Sequence, residues 1–273
     1  MSNIYYEHSL NTPSFVKTEQ TMVIKTEEEL QGIKNVSDAV ALTLRKMQTY
    51  AQIGMSTKYI DEYGRQLLEE LGAKSAPFET YGFPGYSCIS VNKEFAHGIP
   101  SDKVVLKNGD IINIDVSAEL GGFWSDNGCS FVVGEDIQGV QHLIDTSKEI
   151  LLDAISQICG GVKISAIGKL IETKARKTGY TVIRDLGGHG VGRSLHEAPD
   201  GIMNYYDRFD SRRFRKDAVI AIETFISTRS KHIKTMPDGW AFEGSEGGFV
   251  AQHEHTILVT SGKPIILTAA NGI

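Results

Sequence analysis

Apolar residues recur at helical spacing through Leu30, Ile33, Val36, Val40, Leu44 and Met47, which places them on one face of a helix. Thr26 stands ahead of them in N-cap position with Glu29 three residues on, so the pattern predicts a helix from Thr26 to about Ile53. A second helix is expected from Thr57 to Leu71, stopped by Gly72, since glycine accepts the left-handed conformation that ends helices. The period then changes. Between residues 88 and 135, CISVN, IINIDVSAE and FWSDNGCSFVV alternate or carry β-branched runs, and glycine-rich or polar turns separate them, as strands require.

From Asp136 the plan repeats: a helix to about Ile158, another from Ser165 to Lys177 closing at Gly179, then strands around 181–186, 219–227, 240–243 and 249–259. Two halves of one plan, about 24–135 and 136–268, indicate an internal duplication. The expected fold is a single α+β domain over residues 24–273, in which two half-sheets join into one curved antiparallel sheet with helices on one face. The open face at the seam is the expected place for a pocket. Residues 1–23 are polar and aperiodic and read as an N-terminal extension.

A chain of 273 residues with 41% hydrophobic and 23% charged residues and seven prolines has the balance of a globular protein. Its net charge of -6 excludes a generally nucleic-acid-seeking surface, and no DNA partner is expected. Arg208, Arg212, Arg213, Arg215 and Lys216 form a local basic run, read as a solvated loop, with a ribosome or RNA contact as the alternative. Cys88, Cys129 and Cys159 are odd in number and lack C-x-x-C spacing, which suits a reducing cytoplasm. The N-terminus has no secretory pattern and no window is apolar enough to span a membrane.

The chemistry gathers on a few strands. Alternation in IINIDVSAE puts Ile112, Ile114 and Val116 on one face and Asn113, Asp115 and Ser117 on the other. A hairpin turning through Leu120 and Gly121 sets Asp115 directly across from Asp126. One turning through Gly121 and Gly122 makes them diagonal neighbours on the same face. Facing carboxylates repel unless a proton or a cation lies between them. Glu223 sits in the apolar run VIAIETFIS, where a lone charge is costly, and Glu254 shares a strand face with Gln252 and Thr256. His189 lies among the glycines of LGGHGVGRSLHEAP, with His196 seven residues on; neither a phosphate-loop nor an H-E-x-x-H pattern is present.

HGIP at 97–100, INIDVSAELGGFWSDNGCSF at 112–131, GGHGVGRSLHEAP at 187–199, AIET at 221–224 and AQHEHTILVT at 251–260 together resemble the type I methionine aminopeptidases, over roughly residues 24–268. The resemblance implies the duplicated pita-bread fold and a dinuclear centre of divalent cobalt, manganese, iron or zinc ions. It makes Asp115, Asp126, His189, Glu223 and Glu254 the metal ligands, with Asp126 and Glu254 bridging. A metal pair acidifies a bridging water to hydroxide and polarises a carbonyl, which is the chemistry of a hydrolase. By the same resemblance His97 and His196 position the peptide and stabilise the tetrahedral intermediate, Glu223 shuttles a proton, and Phe83, Trp240, Cys88 and Thr80 line a methionine side-chain pocket. N-terminal peptides of nascent proteins are the implied substrates, and a monomer is the implied state. His8, His142, His232, His253 and His255 receive structural readings.

Four positions depart from the family pattern: Asn127 and Gly128 after Asp126, Thr224 where proline usually follows the glutamate, and His253 where an aromatic usually precedes Glu254. They bear on the neighbours of Asp126 and on strand geometry beside Glu223. Two rival readings stand beside the main one. The first is an X-Pro aminopeptidase or prolidase, which usually carries an additional N-terminal domain that 23 unpatterned residues cannot supply. The second is a catalytically silent relative that binds RNA or protein.

Overall fold

The computed structural model describes residues 20–273, so most of the expected extension, His8 included, lies outside the described residues. Among the described residues are five α-helices: α1 Glu27–Tyr50, α2 Thr57–Glu70, α3 Ala76–Tyr81, α4 Gln141–Ser156 and α5 Ile164–Lys177. The strands are β1 Lys74–Ser75, β2 Cys88–Val91, β3 Glu94–Ala96, β4 Ile111–Leu120, β5 Phe123–Val132, β6 Thr181–Val182 and β7 Gly187–Gly190. They continue as β8 Glu197–Met203, β9 Val219–Ser227, β10 Ile233–Thr235, β11 Phe242–Gly244, β12 Val250–Leu258 and β13 Ile265–Ile266.

Helix α1 begins where its cap chemistry places it. Thr26 Oγ1 accepts from the Glu29 N–H at 3.2 Å, while the Glu29 carboxylate reaches back to the Lys25 N–H at 2.7 Å. It stops at Tyr50 rather than Ile53, because Ala51 turns to extended backbone (φ -63, ψ 115). Helix α4 starts at Gln141, five residues later than expected. The Asp136 carboxylate accepts from the N–H groups of Val140 and Gln141, and the chain turns at Gly139 with φ 69 before the helix begins.

Ten strands form one sheet whose main path runs β1-β4-β5-β12-β9-β7-β8, with β2 beside β4, β6 beside β9 and β13 beside β12. A smaller sheet has the order β10-β11-β3. One face of the large sheet is apolar. Ile112, Ile114, Val116 and Cys129 pack with Val40, Leu44, Met47, Ile60 and Leu68 of α1 and α2. Ile220, Ile222, Ile226 and Ile257 pack with Leu151, Ile155, Ile167 and Ile171 of α4 and α5. Each such buried aliphatic side chain contributes about 1.5–3 kcal/mol, so the helices hold the sheet's shape from this side.

The first and second halves meet where β5 lies against β12. The backbone ladder is thin there, with His253 and Cys129 as its register pair. Side chains complete the seam: the Asp126 N–H donates to Thr256 Oγ1 at 3.0 Å, Thr256 Oγ1 donates to the Asp126 carbonyl at 2.7 Å, and Ser130 Oγ accepts from the Gln252 N–H at 2.9 Å.

Candidate metal centre

Of the two hairpin registers open to the sequence, the chain takes the turn through Gly121 and Gly122, both at positive φ (63 and 82), pairing Leu120 with Phe123. Asp115 therefore faces Gly128 and Asp126 faces Ser117, so the two carboxylates are diagonal neighbours. Glu254 lies directly across from Glu223 in the β12–β9 ladder. His189 pairs with Ala221 and so shares the face of Glu223. Asp115, Asp126, Glu254, Glu223 and His189 thus occupy five adjacent strands, one each, on the face away from the helices.

This face is built for charge it cannot neutralise alone. Burial, then the neighbouring carboxylates, pushes Asp126 and Glu254 well above the ordinary carboxylate range. Burial and then the charge of Asp115 raise Glu223 to about 8, and burial raises Asp115 to about 6. Asp126 Oδ1 and Glu254 Oε1 have no hydrogen-bond partner among the described residues. Buried oxygens without donors carry a large desolvation cost, which a cation removes.

The imidazole is set up as a ligand. His189 Nδ1 lies 2.9 Å from the Gly190 carbonyl; as the donor of that bond it leaves the Nε2 lone pair facing Asp126 Oδ2 at 3.8 Å. The pair is not an ion pair, because burial lowers the pKa of His189 and keeps the ring neutral. Ligand atoms of Asp126, His189 and Glu254 all lie within 4.8 Å of one another. Four carboxylates with one neutral imidazole suit borderline to hard divalent ions, so the residues present fit such a group.

Of the remaining expected residues, His196 and Cys88 lie against this cluster. The His196 ring lies 4.1 Å from that of His189, and its Nδ1 is 2.6 Å from the Tyr81 hydroxyl. His97, at φ 53, lies with its ring 4.8 Å from that of Phe242 and tilted by 43°, and burial lowers its pKa to about 4. Phe83 is buried and meets Trp240 edge to face at 5.2 Å and 82°. Cys88 pairs with Asp115 across β2 and β4, on the same face, and burial pushes its thiol pKa up. Thr80 is exposed in the last turn of α3, and the hydroxyl of its neighbour Tyr81 lies against His196.

Gln252 was not among the expected site residues, although strand parity with Glu254 already set it on this face. Its amide Nε2 donates to Glu254 Oε2 at 3.1 Å and to Glu223 Oε2 at 3.3 Å, while Oε1 accepts from Asn113 Nδ2 at 2.8 Å. Of the four departures, Asn127, Thr224 and His253 face the helices. Asn127 bonds to Val116 and Asn271, and the Thr224 and Ser147 hydroxyls lie 3.1 Å apart. The β9–β12 register runs unbroken past Thr224.

The profile of the metallopeptidase family M24 matches residues 31–261. Methionine aminopeptidase 2 of Bacillus subtilis (strain 168) is 48% identical over 247 residues, covering 90% of this chain and 99% of that protein. The crystal structure of methionine aminopeptidase from Thermotoga maritima superposes with a TM-score of 0.85 at 33% identity, over 90% of this chain and 99% of that one. Prolidase from Pyrococcus furiosus shares the fold, with a TM-score of 0.71 at 21% identity over 90% of this chain and 65% of that one. The ligand-bearing face, the sequence profile and these relatives agree: the chain belongs to the metallopeptidase family M24, alongside its methionine aminopeptidases.

Proposed function

We propose that the chain hydrolyses the first peptide bond of N-terminal peptides of nascent proteins and releases the initiator methionine. The observation that carries this reading is the placement of four carboxylates and one neutral imidazole on one face of adjacent strands, with ligand atoms of Asp126, His189 and Glu254 within 4.8 Å of one another. Asp126 and Glu254 would bridge two divalent ions, Asp115 would hold one, and His189 with Glu223 the other. Bound there, such ions supply Lewis acidity toward a carbonyl and acidify water.

The chain's own groups do the rest. Glu223, beside the reacting atoms, would shuttle a proton toward the departing amine. His97 is kept neutral by burial, so it offers a hydrogen bond without adding a positive charge to the site. Phe83, Trp240 and Cys88 would line the recess for the methionine side chain, where aromatic rings suit a flexible thioether. Free Cys88, Cys129 and Cys159 support action in the cytoplasm. No helix among the described residues is long and apolar enough to cross a membrane. A monomer is the proposed state. Exposed Arg208 and Arg215 leave room for work near the ribosome, although Arg212 and Arg213 are engaged by Asp210 and the Gly161 carbonyl.

The test is purified protein reconstituted with divalent ions and offered Met-Ala-Ser and Ala-Pro peptides. Release of methionine alone is expected. Cleavage before proline would move the reading to the X-Pro enzymes, and no turnover with any ion would move it to a binding protein. Asp115→Asn is expected to abolish metal-dependent release.

A further inference from the structure

Glu197 follows His196 directly, and at 4% exposure its carboxylate is sealed from water. The hydrogen bonds it accepts come from backbone. Oε1 accepts from the N–H groups of Arg193 at 2.5 Å and Ser194 at 2.8 Å, and Oε2 accepts from the Met22 N–H at 2.7 Å. Gly190 and Glu197 are paired across β7 and β8, so residues 191–196 form the loop between them. His189 stands just before this loop and His196 ends it. The carboxylate therefore reaches back across the loop that its own residue closes. Inside the loop the Gly192 N–H donates to the Ser194 carbonyl at 3.2 Å, and Ser194 Oγ donates to the His196 carbonyl at 2.9 Å.

The third donor comes from the other end of the chain. Residues 20–24 run beside this loop: the Gln20 carbonyl accepts from Ala198, the Met22 carbonyl from Val219, and the Ile24 N–H donates to Asp217. The Met22 side chain fills the space over Gly192, where an added Cβ would lie 2.2 Å from Met22 Sδ. A carboxylate accepting several backbone N–H groups from two segments fixes both to one another, since charge-assisted bonds are roughly twice as strong as neutral ones.

We propose that Glu197 is a positioning residue for His196, its carboxylate fixing loop 191–196 against the segment 20–24 so that the imidazole stays over the metal-ligand face. The inference rests on the reading of His196 as a group that meets the substrate. Glu197→Gln is nearly isosteric, yet its amide nitrogen cannot accept, so at least one of the three bonds is lost. In the manganese-reconstituted full chain kcat for Met-Ala-Ser is expected to fall about tenfold, less than the 10²–10³ that follows removal of a transition-state donor, with KM within about threefold. The same change made in a His196→Ala background is expected to add no further loss, because the effect passes through His196. Amide exchange at Met22, Arg193 and Ser194 is expected to speed up together in Glu197→Gln, while calorimetric manganese affinity stays as in the unaltered chain. Unchanged kcat, an equal loss in both backgrounds, or a parallel fall in manganese affinity would overturn the inference. Failure of the unaltered chain to release methionine would instead overturn the functional reading beneath it.

Discussion

Gln252 occupies the volume that a side chain at position 128 would need: a Cβ on Gly128 would lie 2.6 Å from Gln252 Oε1. The departure at Gly128 thus makes room for the amide that orients Glu223 and Glu254. Groups that orient ligands typically tune metal affinity by about 10- to 100-fold, and a loss in that range is expected for Gln252→Ala, read by manganese titration calorimetry. Gly128→Ala should push the flexible amide aside and weaken metal binding in the same direction, at a stability cost under about 1 kcal/mol. Unaltered affinity in both variants would remove Gln252 from the site. Parity along β5 already separates Gly128, on the face of Asp126, from Asn127, on the helix face. What parity leaves open is that position 128 and Gln252, 124 residues apart in the chain, share one small volume across the seam.

Among the elements, β9 is tied to α4 by Thr224, whose hydroxyl lies 3.1 Å from Ser147 Oγ in the apolar layer. Thr224→Val removes that bond, while Ser147 keeps the Ala251 carbonyl as its acceptor at 3.1 Å. A loss of about 1 kcal/mol is expected in urea unfolding, without change in metal affinity, because the side chain points away from the ligands. A drop in metal affinity would show instead that the helix face tunes Glu223. Elements of this kind were legible to different degrees. Helix α1 could be read because six apolar residues at one spacing outweigh any local exception. Strands β7 and β8 could not. The run Gly187-Gly188-His189-Gly190 has the composition of a loop, yet a Cβ at Gly187 or Gly188 would lie 2.5 Å from the Ile202 carbonyl oxygen or 2.3 Å from that of Ala221. Those glycines let three strands approach closely enough to deliver His189, a tertiary requirement that local propensity does not express.

At the scale of the whole molecule, the centre makes folding depend on pH and on metal. The ligand motifs were legible because each is local to a strand, whereas their union on adjacent strands depends on β5 meeting β12, a pairing of residues far apart in sequence. That union raises the carboxylates, Glu223 to about 8. A carboxyl whose folded pKa is raised holds its proton in the folded state after the unfolded chain has lost its own. Its stability is therefore fullest below the unfolded value of about 4.3 and falls as pH rises through the folded one. Buried His97 and His253, lowered to about 4 and about 3, act in the opposite sense, but only below their unfolded value of about 6.5. Between about pH 6.5 and 8.5 the carboxylates dominate, so the melting temperature of metal-free protein should fall. Saturating manganese binds the deprotonated folded form and should reverse this, adding about 4 kcal/mol at a thousandfold excess over Kd. Glu223→Gln should flatten the metal-free slope, since it removes a group that titrates in this window. A metal-free melting temperature that stays level or rises over this range would show that these carboxylates are not held protonated together, and that the centre is less enclosed than its geometry indicates.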